Sequence, residues 1–507
     1  MNSEPRPIGR RAVLAGAAGL TVAAGLPYGT AVAAPESGYD QPPAFAQAQQ
    51  AYLAIGFEHN EAGGYAWGES YFLLGLLRMY QAYGDPAYLD TFVDRAEHLA
   101  ATTDRARGVT DYRGRSGPVW RTSNAYTAAH GVITDGTGAA AIQVRWAGAR
   151  AAESTAEISE VAADTFTLTL RNPASATVIT RTGVSLDPAS PNYAVTVINA
   201  GYGPGLRWTA IDLRDQPAVA PAPAAGTITF TSQFYVYAVH TGMVAYPLAL
   251  FARIVAETPK LRHRYGGAAK RAGAAAAAAI AFHDEEFRIV DGVGDYVWPK
   301  GAPIPFDGLI QPYNQSHGPG QAMAELYRLT RAKSYRQKIT AMLEGFARGV
   351  TSTADGAYVW NYWPPHSELY NGYAAADQLS TYTPFYSAVR SIEDISHAAI
   401  TIEFLAAAHA AGIRHDDLDL PAVAKTFVDN VIRSETEVWF RIDGSADAVP
   451  GNAVQAARWM LYARYDTEIY AQCLRVYDAA ALVPSQGSHA LGIGYLNWAR
   501  KEAWRRA

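Results

Sequence analysis

Hydrophobic positions along most of the chain follow the spacing of paired helices. In the clearest copy, apolar side chains recur at i, i+3, i+4, i+7 intervals from Tyr65 to Tyr80. The Gly-Asp-Pro turn at residues 84–86 ends that run, and a second helical run follows from Tyr88 to Leu99. This pattern predicts two antiparallel helices joined by a short turn.

Similar helical hairpins recur along the rest of the chain. The further copies cover residues 242–282, 320–346, 395–432 and 453–482. A last helix begins near His489, and we expect it to pair with residues 43–55. Hairpins that repeat in this way bury their apolar faces by stacking on one another. The sequence therefore predicts a mainly α fold, an (α/α) toroid of about six helical hairpins.

Residues 108–239 interrupt the helical pattern. There the apolar and polar side chains alternate with period two, which is typical of β-strands. The alternating runs cover residues 140–146, 165–170, 193–197 and 227–230. The sequence predicts a small antiparallel β domain at 108–239, inserted between two parts of the toroid, residues 34–107 and 240–507.

The first 33 residues have the features of a signal peptide. A positive start precedes the apolar stretch 12–26, and Ala31-Val32-Ala33 is typical of a cleavage site. The Arg10-Arg11 pair resembles a twin-arginine signal, so we expect a secreted protein exported by that route. No later stretch reaches about 18 uninterrupted apolar residues, so no membrane span is predicted.

The composition gives no argument for a nucleic-acid partner, and its aromatic content suits either sugar binding or the filling of helix interfaces. Charged residues make up 18% of the chain and the net charge is -5, which gives no basic surface for a nucleic acid. The chain has 31 Tyr and 11 Trp, and both side chains combine a flat apolar face with a polar tip that suits sugar rings. Cys473 is the only cysteine, so no internal disulfide forms. The sequence does not indicate an oligomeric state.

Candidate chemistry lies where the chain enters the predicted inner helices. In a ring of hairpins these entries converge at one end, and here they are unusually polar and aromatic. Histidine stands at four of the entries, as His240, His317, His397 and His489. Helix capping explains Ser, Asn or Asp at such positions but does not call for His.

The strongest candidate is the helix start at residues 313–317. Tyr313, Asn314 and His317 place a phenol, an amide and an imidazole within about one helical turn. A Gly-Pro-Gly sequence follows at 318–320 and sets the entry into the helix.

Residues 393–397 form the second candidate. Glu393 and Asp394 stand at i, i+4 and i, i+3 to His397, so either carboxylate is placed to orient the imidazole. Helix starts also attract anions through unpaired N–H groups. An acid–base role is therefore predicted for this segment as well.

Aromatic residues near these entries are candidates for substrate binding. Residues 358–366 contain Trp360, Tyr362 and Trp363, a density typical of a sugar platform or of a buried plug, and both interpretations stay open. At the first helix start, Trp67 and Glu69 are further candidates.

The motif from Gly64 to Tyr71, together with residues 84–89, resembles the α/α-toroid carbohydrate-active enzymes. These are polysaccharide lyases, uronyl epimerases and six-hairpin glycosidases. The resemblance covers roughly 43–107 and 240–503, and its motifs are more specific for the fold than for the reaction. A β insertion after the first hairpin departs from the group, whose β domains stand at a terminus.

The resemblance implies a polysaccharide lyase that cleaves a uronate-containing glycan by β-elimination. In that reaction one group neutralises the substrate carboxylate, a base removes the C5 proton and an acid assists the leaving oxygen. The resemblance assigns neutralisation to Asn314, the base to His317 or His240, and the acid to Tyr313 or Tyr362. His397 is a further catalytic candidate. Substrate contacts are expected from Trp67, Glu69, Trp360, Trp363, Glu393, Asp394, Arg458 and His489.

Other functions stay open. A six-hairpin glycoside hydrolase needs two carboxyl groups, and Glu69, Glu393, Asp394 and Asp377 are available. A uronyl C5-epimerase shares the groups of a lyase, and a glycan-binding protein needs only the aromatics. No cofactor is predicted. The histidine spacing matches no established zinc motif, although a cation that bridges substrate carboxylates is compatible with the sequence.

Overall fold

The computed structural model of the protein describes residues 38–57, 60–123, 126–203 and 207–505. Over these residues the chain is mainly helical, with small antiparallel sheets. The predicted signal segment, residues 1–33, lies outside the described residues.

The helices follow one another along most of the described chain. They are α1 (Pro42–Ile55), α2 (Ser70–Tyr83), α3 (Ala87–Ala101), α4 (Asp104–Arg107), α5 (Ala194–Asn199), α6 (Ala238–Glu257), α7 (Pro259–Ala281), α8 (Tyr313–Thr330), α9 (Lys333–Gly349), α10 (Glu368–Asn371), α11 (Ile395–Ala410), α12 (Leu420–Lys425), α13 (Pro450–Ala453), α14 (Glu468–Ala480) and α15 (Gly487–Arg500). A π-helical turn, Tyr65–Glu69, leads into α2, and another, Thr426–Val431, extends α12. A 3₁₀ helix, Val454–Tyr462, follows α13.

Some of these helices are buried over most of their surface and pack side by side. Contacts run from α2 to α6, on to α8, to α11, to the 454–462 helix, to α15, and from α15 back to α2. We call these the inner helices. Each also packs against one helix outside it: α3, α7, α9, α12, α14 and α1, in the same order. These contacts confirm the predicted hairpins, including the pairing of α1 with α15.

Glycines allow the inner helices to approach one another closely. A Cβ at Gly242 of α6 would overlap the backbone of Gly318 and Pro319 in α8. A Cβ at Gly487 of α15 would overlap the backbone of Gly68, just before α2. Only glycine permits such backbone contact, so these positions fix how near each pair of helices can lie.

The 454–462 helix differs from the predicted α-helix because it winds as a 3₁₀ helix. Seven of its nine residues are buried, so burial does not single out one helical repeat. Over nine residues, a period of 3.0 and one of 3.6 are hard to tell apart in a sequence.

Two four-stranded antiparallel sheets occupy residues 129–232, which we call the β region. Their orders are β6–β2–β1–β8 and β5–β4–β3–β7. The strands are β1 (Ala129–Thr134), β2 (Ala140–Trp146), β3 (Thr155–Ser159), β4 (Thr165–Arg171), β5 (Ile179–Ser185), β6 (Trp208–Asp212), β7 (Gly226–Thr229) and β8 (Thr231–Ser232). They enclose their own hydrophobic cluster. Two strand pairs lie elsewhere, β9 (Phe287–Val290) with β10 (Val293–Tyr296) and β11 (Thr351–Ser352) with β12 (Tyr358–Val359).

The strand predicted at residues 193–197 is wrong, because this segment forms the helix α5. Ala194 and Ile198 stand at i, i+4 and are buried. The Asn199 side chain donates from Nδ2 to Ala210 O (3.0 Å) and accepts at Oδ1 from Ala210 N (2.8 Å). The Asn199 side chain therefore satisfies the backbone N–H and C=O groups of Ala210 in β6, which a neighbouring strand would otherwise bond.

The β region contacts the helical part at two loops, one that follows α10 and one that precedes α8. The Arg145 guanidinium of β2 lies 4.8 Å from the centre of the Tyr382 ring. Tyr202 and Phe385 pack edge to face at 5.1 Å, and Ala128 N donates to Pro303 O at 2.6 Å. These contacts join two parts that have separate hydrophobic clusters.

Among the described helices, only α6 is long and apolar enough to cross a membrane. All of its most apolar window is buried inside the protein. Its neighbours α2, α7 and α8 cover it, which is how a core helix of a folded domain is arranged.

Candidate functional site

The starts of neighbouring inner helices contact one another at one end of the helical set. There Trp67, His240, Tyr362, Asp394, His397 and Arg458 form two groups linked through the Tyr71 ring, which lies 6.4 Å from Trp67 and 4.7 Å from the Arg458 guanidinium carbon; we call them the entry cluster. Side chains of the described residues cap only one of these helix starts, α11, whereas α6, α8 and α15 have no side-chain cap. Polar groups at the entries therefore have uses other than capping.

Trp67 and His240 form one side of the entry cluster. Trp67 lies in the π-helical turn before α2, a feature often found at functional sites. Its Nε1 donates to His240 Nε2 at 3.2 Å, and the Tyr126 ring lies 4.9 Å from the imidazole. Burial lowers the His240 pKa to about 3, so this imidazole stays neutral. Trp67 and Tyr126 are partly exposed and present aromatic surface.

Asp394 and His397 form a hydrogen-bonded dyad at the start of α11. One Asp394 oxygen caps the helix, accepting from Ser396 N (2.9 Å) and His397 N (3.1 Å). The other accepts from His397 Nδ1. Burial alone would raise the Asp394 pKa, but His397 and the donors of α11 outweigh it and hold that pKa well below its usual range. Asp394 thus stays ionised and orients the imidazole.

His397 keeps its second nitrogen available. Within the described residues no hydrogen-bond partner is found for Nε2, and 22% of the side chain is exposed. The Tyr362 ring packs edge to face on the imidazole at 5.4 Å. Burial, followed by the charges of Glu393 and Asp394, raises the Tyr362 pKa, so the phenol stays protonated. A base and a phenol therefore stand side by side.

Arg458 completes the entry cluster. Its Nη1 donates to Ser396 O at 3.0 Å, and its guanidinium carbon lies 4.7 Å from the centre of the Tyr71 ring. Nη2 is 3.8 Å from Glu403 Oε2, an ion pair without a hydrogen bond. In the described chain, Nε and Nη2 have no hydrogen-bond partner. Arg458 is 2% exposed, so its spare donors suit a carboxylate that reaches them from the entry cluster.

No protein-family model matches this chain, and no curated protein matches it. The roles of the entry cluster are therefore inferred from its geometry and chemistry.

Tyr313 and His317 lie in the core rather than in the entry cluster. The Tyr313 hydroxyl donates to Gly345 O at 3.0 Å. His317 is stacked between the rings of Tyr313 and Phe404, at 5.5 and 4.6 Å, and its Nδ1 is 3.2 Å from Thr401 Oγ1. Burial lowers the His317 pKa to about 3.

Asn314 is buried one residue after Tyr313, at the start of α8. No partner for its Oδ1 is found among the described residues. Its backbone adjoins the segment of Tyr362, because Tyr313 N donates to Tyr362 O at 3.4 Å. Asn314 therefore lies near the entry cluster, with an unused acceptor.

Trp360 and Trp363 are buried, at 1% and 3% exposure. Trp360 packs edge to face on Phe346 at 5.3 Å, and Trp363 packs on Phe306 and Tyr362 at 5.7 and 4.9 Å. Their rings line the core behind Tyr362. This arrangement matches the buried plug, not an open platform.

Glu69 and His489 are also engaged elsewhere. The Glu69 carboxylate is fully buried, pairs with Arg95 and accepts from Tyr52 OH at 3.2 Å. His489 Nδ1 accepts from Ser485 N at 3.3 Å, and burial lowers its pKa to about 4. Both residues stabilise helix packing in the described conformation.

Glu393 is fully buried behind the dyad. Neither of its carboxylate oxygens has a hydrogen-bond partner in the part of the chain described. Burial, and then the Asp394 charge, raise its pKa well above the usual range. Its ligand atoms and those of Asp394 and His397 lie within 4.8 Å of one another, the one such group found among the described residues. Because Asp394 is already saturated with donors, we interpret the group as an acid–base dyad rather than a metal site.

The sequence did not single out Tyr126 or Glu403. Tyr126 precedes the β region and carries no periodic signal, although it borders His240. Glu403 is a single carboxylate in the apolar run of α11, and that isolated charge is the sequence signal that could have identified it. In the structure it pairs with Arg458.

Proposed function

We propose that the chain is an exported polysaccharide lyase that cleaves a uronate-containing glycan by β-elimination on an (α/α) toroid. The toroid is supported by the unbroken circuit of contacts among the inner helices, from α2 round to α15 and back to α2. In such a ring the helix starts share one end, where the entry cluster lies. Export is supported by the sequence of residues 1–33.

One observation carries the proposed reaction: His397, oriented by Asp394, stands against the phenol of Tyr362 beside a guanidinium with spare donors. These are a base, an acid and a group that neutralises a carboxylate, the three parts that β-elimination needs. The base is thus reassigned from His317 or His240 to His397. Tyr362 keeps the role of acid, and Arg458 takes the carboxylate.

The reaction proceeds as follows in the proposal. Arg458 pairs with the uronate carboxylate, which makes the C5 proton easier to remove. His397 Nε2 takes that proton, the electron pair forms the C4=C5 double bond, and the bond from C4 to the glycosidic oxygen breaks. Tyr362 gives its proton to that oxygen, and the imidazolium returns a proton to Tyr362. Trp67 and Tyr126 bind the sugar rings on their exposed faces.

A glycoside hydrolase has one observation in its favour. Glu393 and Asp394 are neighbouring carboxyl groups whose pKa values are shifted in opposite directions, as in an acid and base pair. Glu393, however, has no exposed surface. Glu69 is committed to Arg95, and the exposed Asp377 accepts from Ala374 N at 2.8 Å.

Ultraviolet absorbance during incubation with a panel of uronate polysaccharides separates these functions. Elimination leaves a conjugated uronyl product, so rising absorbance supports the lyase and identifies the substrate class. New reducing ends without absorbance would support hydrolysis. Deuterium uptake from solvent at C5, without chain cleavage, would indicate an epimerase, and binding alone would indicate a glycan-binding protein. His397→Ala serves as the control for chemistry in each assay.

A further inference from the structure

A cavity lies at the opposite end of the inner helices from the entry cluster. Its volume is about 160 Å³, and each inner helix contributes residues from its C-terminal half or just beyond. Four arginines line it, Arg78, Arg253, Arg328 and Arg464, together with His409.

Two of the arginines are neutralised by acidic side chains. Arg253 pairs with Glu325 and with Glu257, and Arg328 Nη2 lies 3.2 Å from Glu257. These pairs stabilise the ends of α6 and α8, where cations offset the partial negative charge of the last carbonyl groups. The positions of Arg253 and Arg328 are therefore explained by these ion pairs and do not require a ligand.

Arg78 and Arg464 are not accounted for in this way. Arg78 is buried, donates to Gln81 Oε1 (2.9 Å) and to the hydroxyls of Tyr246 and Tyr495 (both 3.3 Å), and its Nε has no partner in the described chain. The Tyr495 hydroxyl that accepts from Arg78 also donates to Glu403, and among the described residues no acidic side chain forms a direct ion pair with Arg78. Within the described residues, no acidic side chain pairs with Arg464.

His409 lines the cavity within the electrostatic field of the arginines. Burial, followed by the charges of Arg414 and Arg464, lowers the His409 pKa. The imidazole is therefore neutral at pH 7 and offers an N–H donor without adding charge. Apolar side chains of Leu250, Ala406 and Leu461 form the rest of the wall, which favours a ligand with a carbon skeleton over a bare ion.

We propose that this cavity binds a small organic oxyanion, held by Arg78 and Arg464. A water molecule needs roughly 10–15 Å³ of such space, so the volume of about 160 Å³ has room for about 11–16 non-hydrogen atoms. The shared chemistry is a carboxylate or a phosphate on a compact carbon skeleton. The site is separate from the entry cluster, and the proposal does not depend on the proposed lyase activity.

Isothermal titration with glucuronate, citrate, glucose 6-phosphate and inorganic phosphate tests the site on the full chain. Arg464→Ala removes an exposed guanidinium and leaves the core intact. Ala410→Trp fills the cavity from the exposed end of α11 and leaves every charge in place. Arg181→Ala, at an exposed arginine of β5 without an acidic partner, is the matched control.

We expect saturable binding of at least one organic anion, weakened about tenfold or more by Arg464→Ala and by Ala410→Trp but unchanged by Arg181→Ala. Preference for glucuronate and citrate would identify a carboxylate site, and preference for glucose 6-phosphate would identify a phosphate site. Binding of inorganic phosphate alone would overturn the organic ligand. No binding up to about 10 mM, or equal binding by all variants, would overturn the site.

Discussion

His397 and His317 stand at the starts of neighbouring inner helices but in opposite surroundings. His397 is partly exposed, has an ionised partner and retains a free nitrogen, whereas His317 is stacked between two rings in the core. The two histidines are alike in sequence context, so substituting each in turn separates chemistry from packing.

We expect His397→Ala to lower turnover of the glycan by about 10²–10⁴-fold while the melting temperature changes little, because a general base is lost. His317→Leu should preserve most of the turnover, because it keeps an apolar side chain in the stack. Steady-state elimination rates and thermal unfolding measure both effects. A larger loss in His317→Leu than in His397→Ala, with the protein folded, would contradict the assignment.

The buried Glu393 carboxyl makes stability depend on pH. Its folded-state pKa is raised above the unfolded value, so its contribution favours folding at low pH. That contribution is lost as pH rises from the unfolded pKa towards the folded one. We expect Glu393→Gln to be more stable than the natural protein at pH 8 by about 1–3 kcal/mol, with the difference vanishing near about pH 4.

Denaturant unfolding at several pH values measures that difference. Glu435→Gln, at an exposed carboxylate, is the control and should leave the pH dependence unchanged. A Glu393→Gln variant that loses stability at pH 8 would show that the carboxylate is ionised and compensated, for example by a bound cation.

Most of the entry cluster could be predicted from the sequence. Asp394, His397 and Arg458 were candidates because polar groups recur at the predicted helix starts, and Tyr362 because it lies in the aromatic run 358–366. Burial of His317 could not be read from spacing, because the ring that covers it, Phe404, comes from a different helix.

At the scale of elements, the contact between α6 and α8 is set by one glycine. A Cβ at Gly242 would overlap the α8 backbone, whereas a Cβ at Gly266 of α7 meets no atom within 4 Å. We expect Gly242→Ala to cost about 1–3 kcal/mol by forcing the helices apart. Gly266→Ala should instead stabilise α7 by about 0.5–1 kcal/mol.

Chemical unfolding of the two variants measures the difference. The pair is matched, because each adds one methyl group to a helix interior. Equal effects of the two substitutions would contradict the close approach of α6 and α8.

The helices were predictable because their apolar positions repeat along many turns. Short segments were not: residues 193–197 alternate like a strand, yet the bonds from Asn199 to Ala210 favour α5. The secondary structure of residues 193–197 is therefore determined by a contact with a residue distant in sequence, and the periodicity of a single sequence carries no information about such a contact.

At the scale of the whole molecule, the β region depends on a few contacts with the helical part. We expect Arg145→Ala to weaken the attachment by about 1–2 kcal/mol, because it removes a buried guanidinium from the Tyr382 ring. Proteolysis within residues 129–232 should then accelerate while the inner helices stay protected.

Limited proteolysis with mass spectrometry locates the cleavage sites. Arg181→Ala, on an exposed position of the same region, should not change the cleavage rate. If Arg145→Ala exposed the inner helices equally, the two parts would unfold as one unit.

The burial of α6 bears on the proposed export. An unfolded copy of the chain carries, at residues 238–257, a segment long and apolar enough to cross a membrane. During translocation of an unfolded chain, this segment would tend to stop in the bilayer and remain inserted there. In the folded protein the same residues pack between α2, α7 and α8, so their apolar surface is not accessible to lipid. Folding before transport removes the hazard, which is the order of events that the proposed twin-arginine route imposes.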